Sequence, residues 1–162
     1  MQHNSLTSPD AFFRAPRTFN RFSAPEFLRY CLGGTLYMPS TRSVVDKIVG
    51  REFTDVMSMV MDCEDSVITQ LTHLAQKVED GTLSEDHVPL IFLRVRNMDQ
   101  FAAFAERLTP EIAHVLTGFI FPKFYSDNAR QYLDLLAGLN DRFDTPLYGM
   151  PILEGRAIAF RE

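Results

Sequence analysis

The sequence predicts an α/β fold built on a parallel sheet. Two observations carry this. Five apolar runs recur about every 28 residues, and amphipathic helical stretches separate them, the alternation of repeated βα units. The runs are also nearly continuous rather than alternating, as in strands covered on both faces. A third observation bears on function: each run stops in polar or charged residues, and in such folds ligands bind at the C-terminal ends of the strands.

The stretch from Gly34 to Asp65 shows the unit most clearly. Thr35-Leu36-Tyr37-Met38 reads as a strand stopping at Pro39-Ser40-Thr41-Arg42. Val44, Val45, Ile48 and Val49 have the spacing of one helix face. Val56 to Met61 is a second strand, ending in Asp62-Cys63-Glu64-Asp65. Three acids behind a buried strand are costly to leave unpaired, so a cation, arginines or a metal should lie nearby.

The remaining units follow in order. Ser66 is placed as the cap of a helix carrying Ile68, Leu71, Ala75 and Val78, which Asp80-Gly81 ends. Leu90 to Leu93 forms the third strand and stops at Arg94-Val95-Arg96-Asn97. Asp99 is read as opening the next helix, with Phe101, Phe104, Ala105 and Leu108 inward. Thr109-Pro110-Glu111 has the pattern of N-cap, N1 and N2 of a short helix. Leu116 to Phe121 is the fourth strand and ends in Pro122-Lys123. Ser126 is placed as the cap of a helix with Ala129, Tyr132, Leu133, Leu136 and Leu139 inward. Leu147 to Leu153 is the fifth strand and ends in Glu154.

Residues 1–33 form an N-terminal extension. Met1 to Asp10 is polar, and Ala11 to Tyr30 sets five phenylalanines among four arginines. Ser23-Ala24-Pro25-Glu26 resembles a helix start with Ser23 as N-cap and Glu26 in the capping-box position. The phenylalanines are expected to cover one end of the core, with an interaction arm as the alternative. Residues 34–162 are expected to form the barrel-like domain described below.

Composition excludes several classes. A net charge of −5 argues against nucleic acid as the main partner. No run approaches the ~20 apolar residues of a membrane span, and the N-terminus lacks the apolar core of a secretory signal. The two cysteines, Cys31 and Cys63, make neither a disulfide framework nor a CxxC metal pattern, which fits a reduced, cytoplasmic protein.

Parity sharpens the candidate site. Arg94 and Arg96 fall on one face of their strand because side chains alternate. If that face points into a barrel, both guanidiniums reach the acids after strand two, and Arg suits bidentate binding of carboxylate or phosphate. Neutralisation of Asp62, Glu64 and Asp65 is the plainer role, and the two are compatible. For Lys123 the plainer role is a solvated side chain.

At these residues the chain resembles the citrate lyase β-subunit-like branch of the HpcH/HpaI aldolase superfamily. The motifs are Met38-Pro39-Ser40-Thr41-Arg42, Asp62-Cys63-Glu64-Asp65-Ser66-Val67, Arg94-Val95-Arg96-Asn97, Pro122-Lys123 and Ile152-Leu153-Glu154-Gly155. Each is modest alone, and their order and spacing agree from about Gly34 to Glu154. The phrases Leu-Tyr-Met-Pro and Tyr-Gly-Met-Pro-Ile-Leu-Glu look most like the TIM-barrel carbon–carbon bond lyases associated with tellurite-resistance and stress gene clusters.

The resemblance implies a (β/α)8 TIM barrel and Mg²⁺-assisted cleavage or formation of a carbon–carbon bond, in a β-hydroxy acid or its CoA thioester. It gives Arg94 to the substrate carboxylate or carbonyl, with Arg42, Arg96 and Lys123 as further substrate-binding residues. Glu154 becomes a metal ligand, with Asp62, Glu64 and Asp65 beside the metal and its waters. It implies a small-molecule substrate and leaves room for a homo-oligomer. Gly155 stands where Thr or Ser is usual, and Arg96 where Asn is common.

Eight units need ~250 residues, so the sequence is expected to hold about the first five of them. The usual second ligand, an aspartate after strand six, would lie past Glu162, and a piece of this length is expected to bind Mg²⁺ weakly and turn over nothing. A non-catalytic or split-barrel partner subunit is the alternative, and a phosphoenolpyruvate-type enzyme of the same superfamily is a third.

Overall fold

The computed structural model describes residues 17–39 and 43–155. In order, α1 (Pro25–Leu28), β1 (Leu36–Met38), α2 (Val44–Val49), β2 (Ser58–Asp62), α3 (Asp65–Glu79), β3 (Leu90–Arg94), α4 (Met98–Arg107), α5 (Pro110–Val115), β4 (Gly118–Phe121), α6 (Ala129–Arg142) and β5 (Tyr148–Pro151) follow one another. The five strands form one sheet in the order β1-β2-β3-β4-β5, with every neighbouring pair parallel. Each expected strand is present: β3 runs one residue past its apolar run, and the other four are one to three residues shorter than theirs.

Strand parity divides the interior into two cores. Met59, Met61, Ile91, Leu93, Phe119 and Phe121 turn to the helix-covered face and pack with Val67, Leu71, Phe101, Phe104, Ile112 and Tyr132, among others. Phe101 anchors an aromatic group there, 4.7 Å from Phe119 and 5.2 Å from Phe121, centroid to centroid. Val60, Leu90, Phe92, Ile120, Tyr148 and Met150 turn the other way, onto the face that a barrel encloses.

The second face is closed at its N-terminal end by the extension. Phe19, Leu28 and Cys31 are buried against it, with Phe27 and Leu32 packed alongside. The expected covering role of the phenylalanines therefore holds for Phe19 and Phe27, whereas Phe22 is 42% exposed and lies tilted beside His114, and Phe12 and Phe13 fall outside the described residues. Arg21 fastens this segment. Its guanidinium is buried and donates to the carbonyls of Ala113, His114 and Pro146, just ahead of β4 and β5. Burial pulls the Arg21 pKa down, to about 10, because desolvation disfavours its charge.

Several helix starts differ from expectation. Ala24, not Ser23, holds the N-cap position of α1, and the Ser23 hydroxyl takes the N–H of Asn20 instead. Glu64 precedes α3 where Ser66 was expected, because the chain is already helical at Asp65. Asn97, not Asp99, caps α4 and accepts from Gln100 N–H. Asn128, not Ser126, precedes α6. Thr109 caps α5 as expected, accepting from Ile112 N–H, with Pro110 in the first turn.

Two glycines test the packing. A Cβ on Gly118 would lie 2.0 Å from the Tyr148 carbonyl oxygen, a backbone atom of the adjoining strand, whereas one on Gly138, within α6, meets nothing within 4 Å. Gly118→Ala should therefore destabilise by about 3 kcal/mol through overpacking. Gly138→Ala should stabilise by about 0.5–1 kcal/mol by restoring a better helix former. Urea denaturation of both variants checks the pair; equal midpoints would contradict this packing.

Candidate active site

The site residues meet at the C-terminal ends of the strands because the register brings them there. Asp62 is the last residue of β2 and lies directly across from Arg94, the last of β3. Arg94 Nη1 stands 3.7 Å from Asp62 Oδ1. Two residues on, Arg96 Nη2 donates to Glu64 Oε1 at 3.1 Å. The third acid, Asp65, lies 3.7 Å from Arg107 Nη1 at the end of α4. Of the partners left open by the sequence, arginines satisfy all three acids. Arg94 and Arg96 were legible as such, and Arg107 was not, because its approach depends on how the end of α4 comes to lie beside the start of α3.

Cys63 lies between two of these acids yet faces the other way. It is buried in the helix-side core, so the motif alternates two inward acids around one core position. Burial pushes its thiol up to about 11. At neutral pH Cys63 is therefore a protonated core side chain rather than a nucleophile.

Gln100 ties the two charged turns together. Its amide donates to the Cys63 carbonyl, and its Oε1 accepts from Arg96 N–H at 2.8 Å. Asn97 and Gln100 have the N-cap and N3 spacing of a capping box, so the signal was present in the sequence. Here Gln100 reaches the N–H one residue before the cap, and its amide is left to hold β2's turn.

The third group lies at the ends of β4 and β5. Lys123 adopts a left-handed backbone, φ 49°, and its N–H donates to Glu154 Oε1 at 2.7 Å. Asn128 closes the turn by donating to the Lys123 carbonyl at 2.9 Å and accepting from Tyr125 N–H at 2.9 Å. A Cβ on Gly155 would lie 2.7 Å from Tyr125 Cε1, so the Tyr125 ring takes the space that a threonine or serine would need. Among the described residues, no cation lies within ion-pair distance of Glu154 or anion of Lys123. Arg42 falls outside the described residues.

Hard oxygen ligands are what Mg²⁺ requires, and it commonly takes one or two protein carboxylates while keeping several waters. Glu154 fits that demand: one oxygen is anchored by Lys123 and the other takes no part in that bond. Among the described residues no group of three or more His, Cys, Asp or Glu is placed to hold a metal ion together.

A helix-flanked parallel sheet in sequential strand order, with charged residues gathered at its C-terminal edge, has the layout of part of a (β/α) barrel. Within that class the chain belongs to the carbon–carbon bond lyase family of the TIM-barrel fold, whose model matches residues 26–162. No curated protein and no solved structure matches the chain. Among the described residues no helix is long and apolar enough to cross a membrane.

The Cys63 thiol gives a test by pH. The unfolded chain releases this proton near the ordinary value of 9.0, while the folded protein keeps it until about 11. The folded state thus binds more protons in that window, and stability should fall as pH rises from 9 to 11. Denaturation across the window should show a shallower slope for Cys63→Ser than for wild type, and a thiol reagent at pH 8 should label Cys63 only as the protein unfolds.

Proposed function

We propose that this protein is a Mg²⁺-assisted carbon–carbon bond lyase acting on a β-hydroxy acid or an acyl-CoA-like substrate, in the manner of the citrate lyase β-subunit-like enzymes. The observation that carries this reading is Glu154. It is a carboxylate at the end of β5, anchored by one backbone N–H and without a cationic partner among the described residues, while the other acids each have an arginine.

When bound, Mg²⁺ supplies a Lewis acid that polarises a carbonyl oxygen and balances the charge of the enolate left by bond cleavage. Glu154 would hold it, with Asp62, Glu64 or Asp65 contributing through water. Arg94 is half exposed and touches Asp62 through one nitrogen, so most of its five donors remain for a substrate carboxylate. Arg96 is more open still, 68% exposed, and can serve the distal end of the substrate. Lys123 adds positive charge on the same edge. The left-handed turn spends only its main chain on Glu154, which leaves the ammonium for substrate. A cytoplasmic setting fits the two free thiols, Cys31 and Cys63.

The alternative, a partner subunit completing a split barrel, draws on the sheet edges. Among the described strands β1 pairs with β2 alone and β5 with β4 alone, and Tyr37 and Leu153 beside them are 56% and 61% exposed.

Calorimetry with Mg²⁺ taken to millimolar concentration tests the metal assignment. Glu154→Gln should weaken binding at least ~10-fold, the scale of losing a ligand charge in such sites, with the circular dichroism spectrum unchanged. Equal affinity in the variant would remove Glu154 from the metal site. Arg94→Ala should cost only about 0.2–1 kcal/mol of stability, because its ion pair is solvated, while abolishing binding of a carboxylate substrate. A large loss of stability would instead make Arg94 structural.

A further inference from the structure

Lys123 is a non-glycine residue in left-handed backbone at a strand end, a conformation that costs an L residue free energy and persists only where its surroundings impose it. The imposing group is Asn128. At an N-cap, asparagine ordinarily accepts from the N–H two or three residues into its own helix. Asn128 makes no such bond to α6. Its side chain points back across the turn, donating to the Lys123 carbonyl and accepting from Tyr125 N–H, both at 2.9 Å. The helix gives up a cap, and the turn gains a two-point clamp. The clamp's other consequence is the aim of the Lys123 N–H, which meets Glu154 Oε1 at 2.7 Å, a short, charge-assisted bond. Phe124 N–H reaches the Ile152 carbonyl at 3.4 Å beside it, and Tyr125 covers Gly155. The turn therefore grips the end of β5 on both sides of Glu154.

We propose that Asn128 is a positioning residue for Glu154: by clamping the Lys123–Tyr125 turn it directs the Lys123 N–H onto one carboxylate oxygen and leaves the other free to hold a cation. This rests on the reading of Glu154 as a Mg²⁺ ligand. It does not make Asn128 a ligand, and it gives the left-handed Lys123 a role that its side chain does not explain. Partners of this kind commonly alter metal affinity by 10–100-fold without touching the ion.

The test compares wild type, Asn128→Ala, Asn128→Ser and Glu154→Gln by two readouts, amide hydrogen exchange at Lys123 and Mg²⁺ affinity by calorimetry. Serine is as good an N-cap as asparagine, but it is too short to bridge the Lys123 carbonyl and Tyr125 N–H. Both Asn128 variants should speed Lys123 exchange about tenfold, the loss of one hydrogen bond of ordinary net strength, and weaken Mg²⁺ about tenfold. Exchange at Phe119 and Ile120 in β4 should stay as in wild type. Restoration of wild-type exchange and affinity by Asn128→Ser would reduce Asn128 to a helix cap and overturn the proposal. So would a freed Lys123 amide with unchanged Mg²⁺ affinity. If Asn128→Ala melts α6, the serine variant alone decides. If wild type and Glu154→Gln bind Mg²⁺ equally, the ligand reading fails and this role with it. If Glu154→Gln loses binding while Asn128→Ser keeps it, only the positioning role fails.

Discussion

The facing of the charged residues at the strand ends follows from the register of four parallel strand pairs. Pairing Asp62 with Arg94, and Phe121 with Pro151, sets which residues share a face. A slip of one residue in β3 would turn both Arg94 and Arg96 into the helix-side core and bring Leu93 and Val95 out. The core forbids that slip: Leu93 and Val95 are fully buried, and Phe92 packs on the opposite face with Val60 and Ile120. The hydrophobic pattern thus fixes the electrostatics, and the charged residues need no strong interactions of their own to find one another.

That division explains why the ion pairs are loose. Two of the three separate by 3.7 Å, and their side chains remain substantially exposed. Exposed pairs contribute little to stability, yet a guanidinium held in place without being fully engaged can exchange water for a ligand at low cost. A fully desolvated Asp62–Arg94 pair would be rigid and satisfied, with nothing left over for substrate. The tight contacts are reserved for main-chain groups: Gln100 on Cys63 and Arg96, Asn128 on Lys123 and Tyr125, Lys123 on Glu154.

The strands and their polar ends were legible because periodicity and parity are local properties, and the arginine–acid pairing followed from them. What escaped the sequence was tertiary. Ser23, Ser66 and Ser126 each looked like a cap, because hydroxyls before an apolar periodic stretch usually are. In the folded chain the helices instead begin after Ala24, Glu64 and Asn128. Arg107 met Asp65 only through helix packing. Asn128 and Tyr125 sat unremarked in a loop because nothing in their spacing reveals that the turn they close meets Glu154 on another strand. Gly155 was visible as a departure from the resembling family, and the Tyr125 ring above it supplies the physical reason.

Arg21 carries a consequence for the order of events during synthesis. Its guanidinium binds carbonyls 92, 93 and 125 residues further along the chain. A growing polypeptide exposes its N-terminal segment first, but Arg21 has no destination until α5 has ended and the approach to β5 has emerged. The segment that seals the bottom of the sheet is thus made before every carbonyl that fixes its arginine. Until then Phe19, Leu28 and the inner residues of β2 and β3 remain uncovered, and they are the surface a chaperone would meet on the nascent chain.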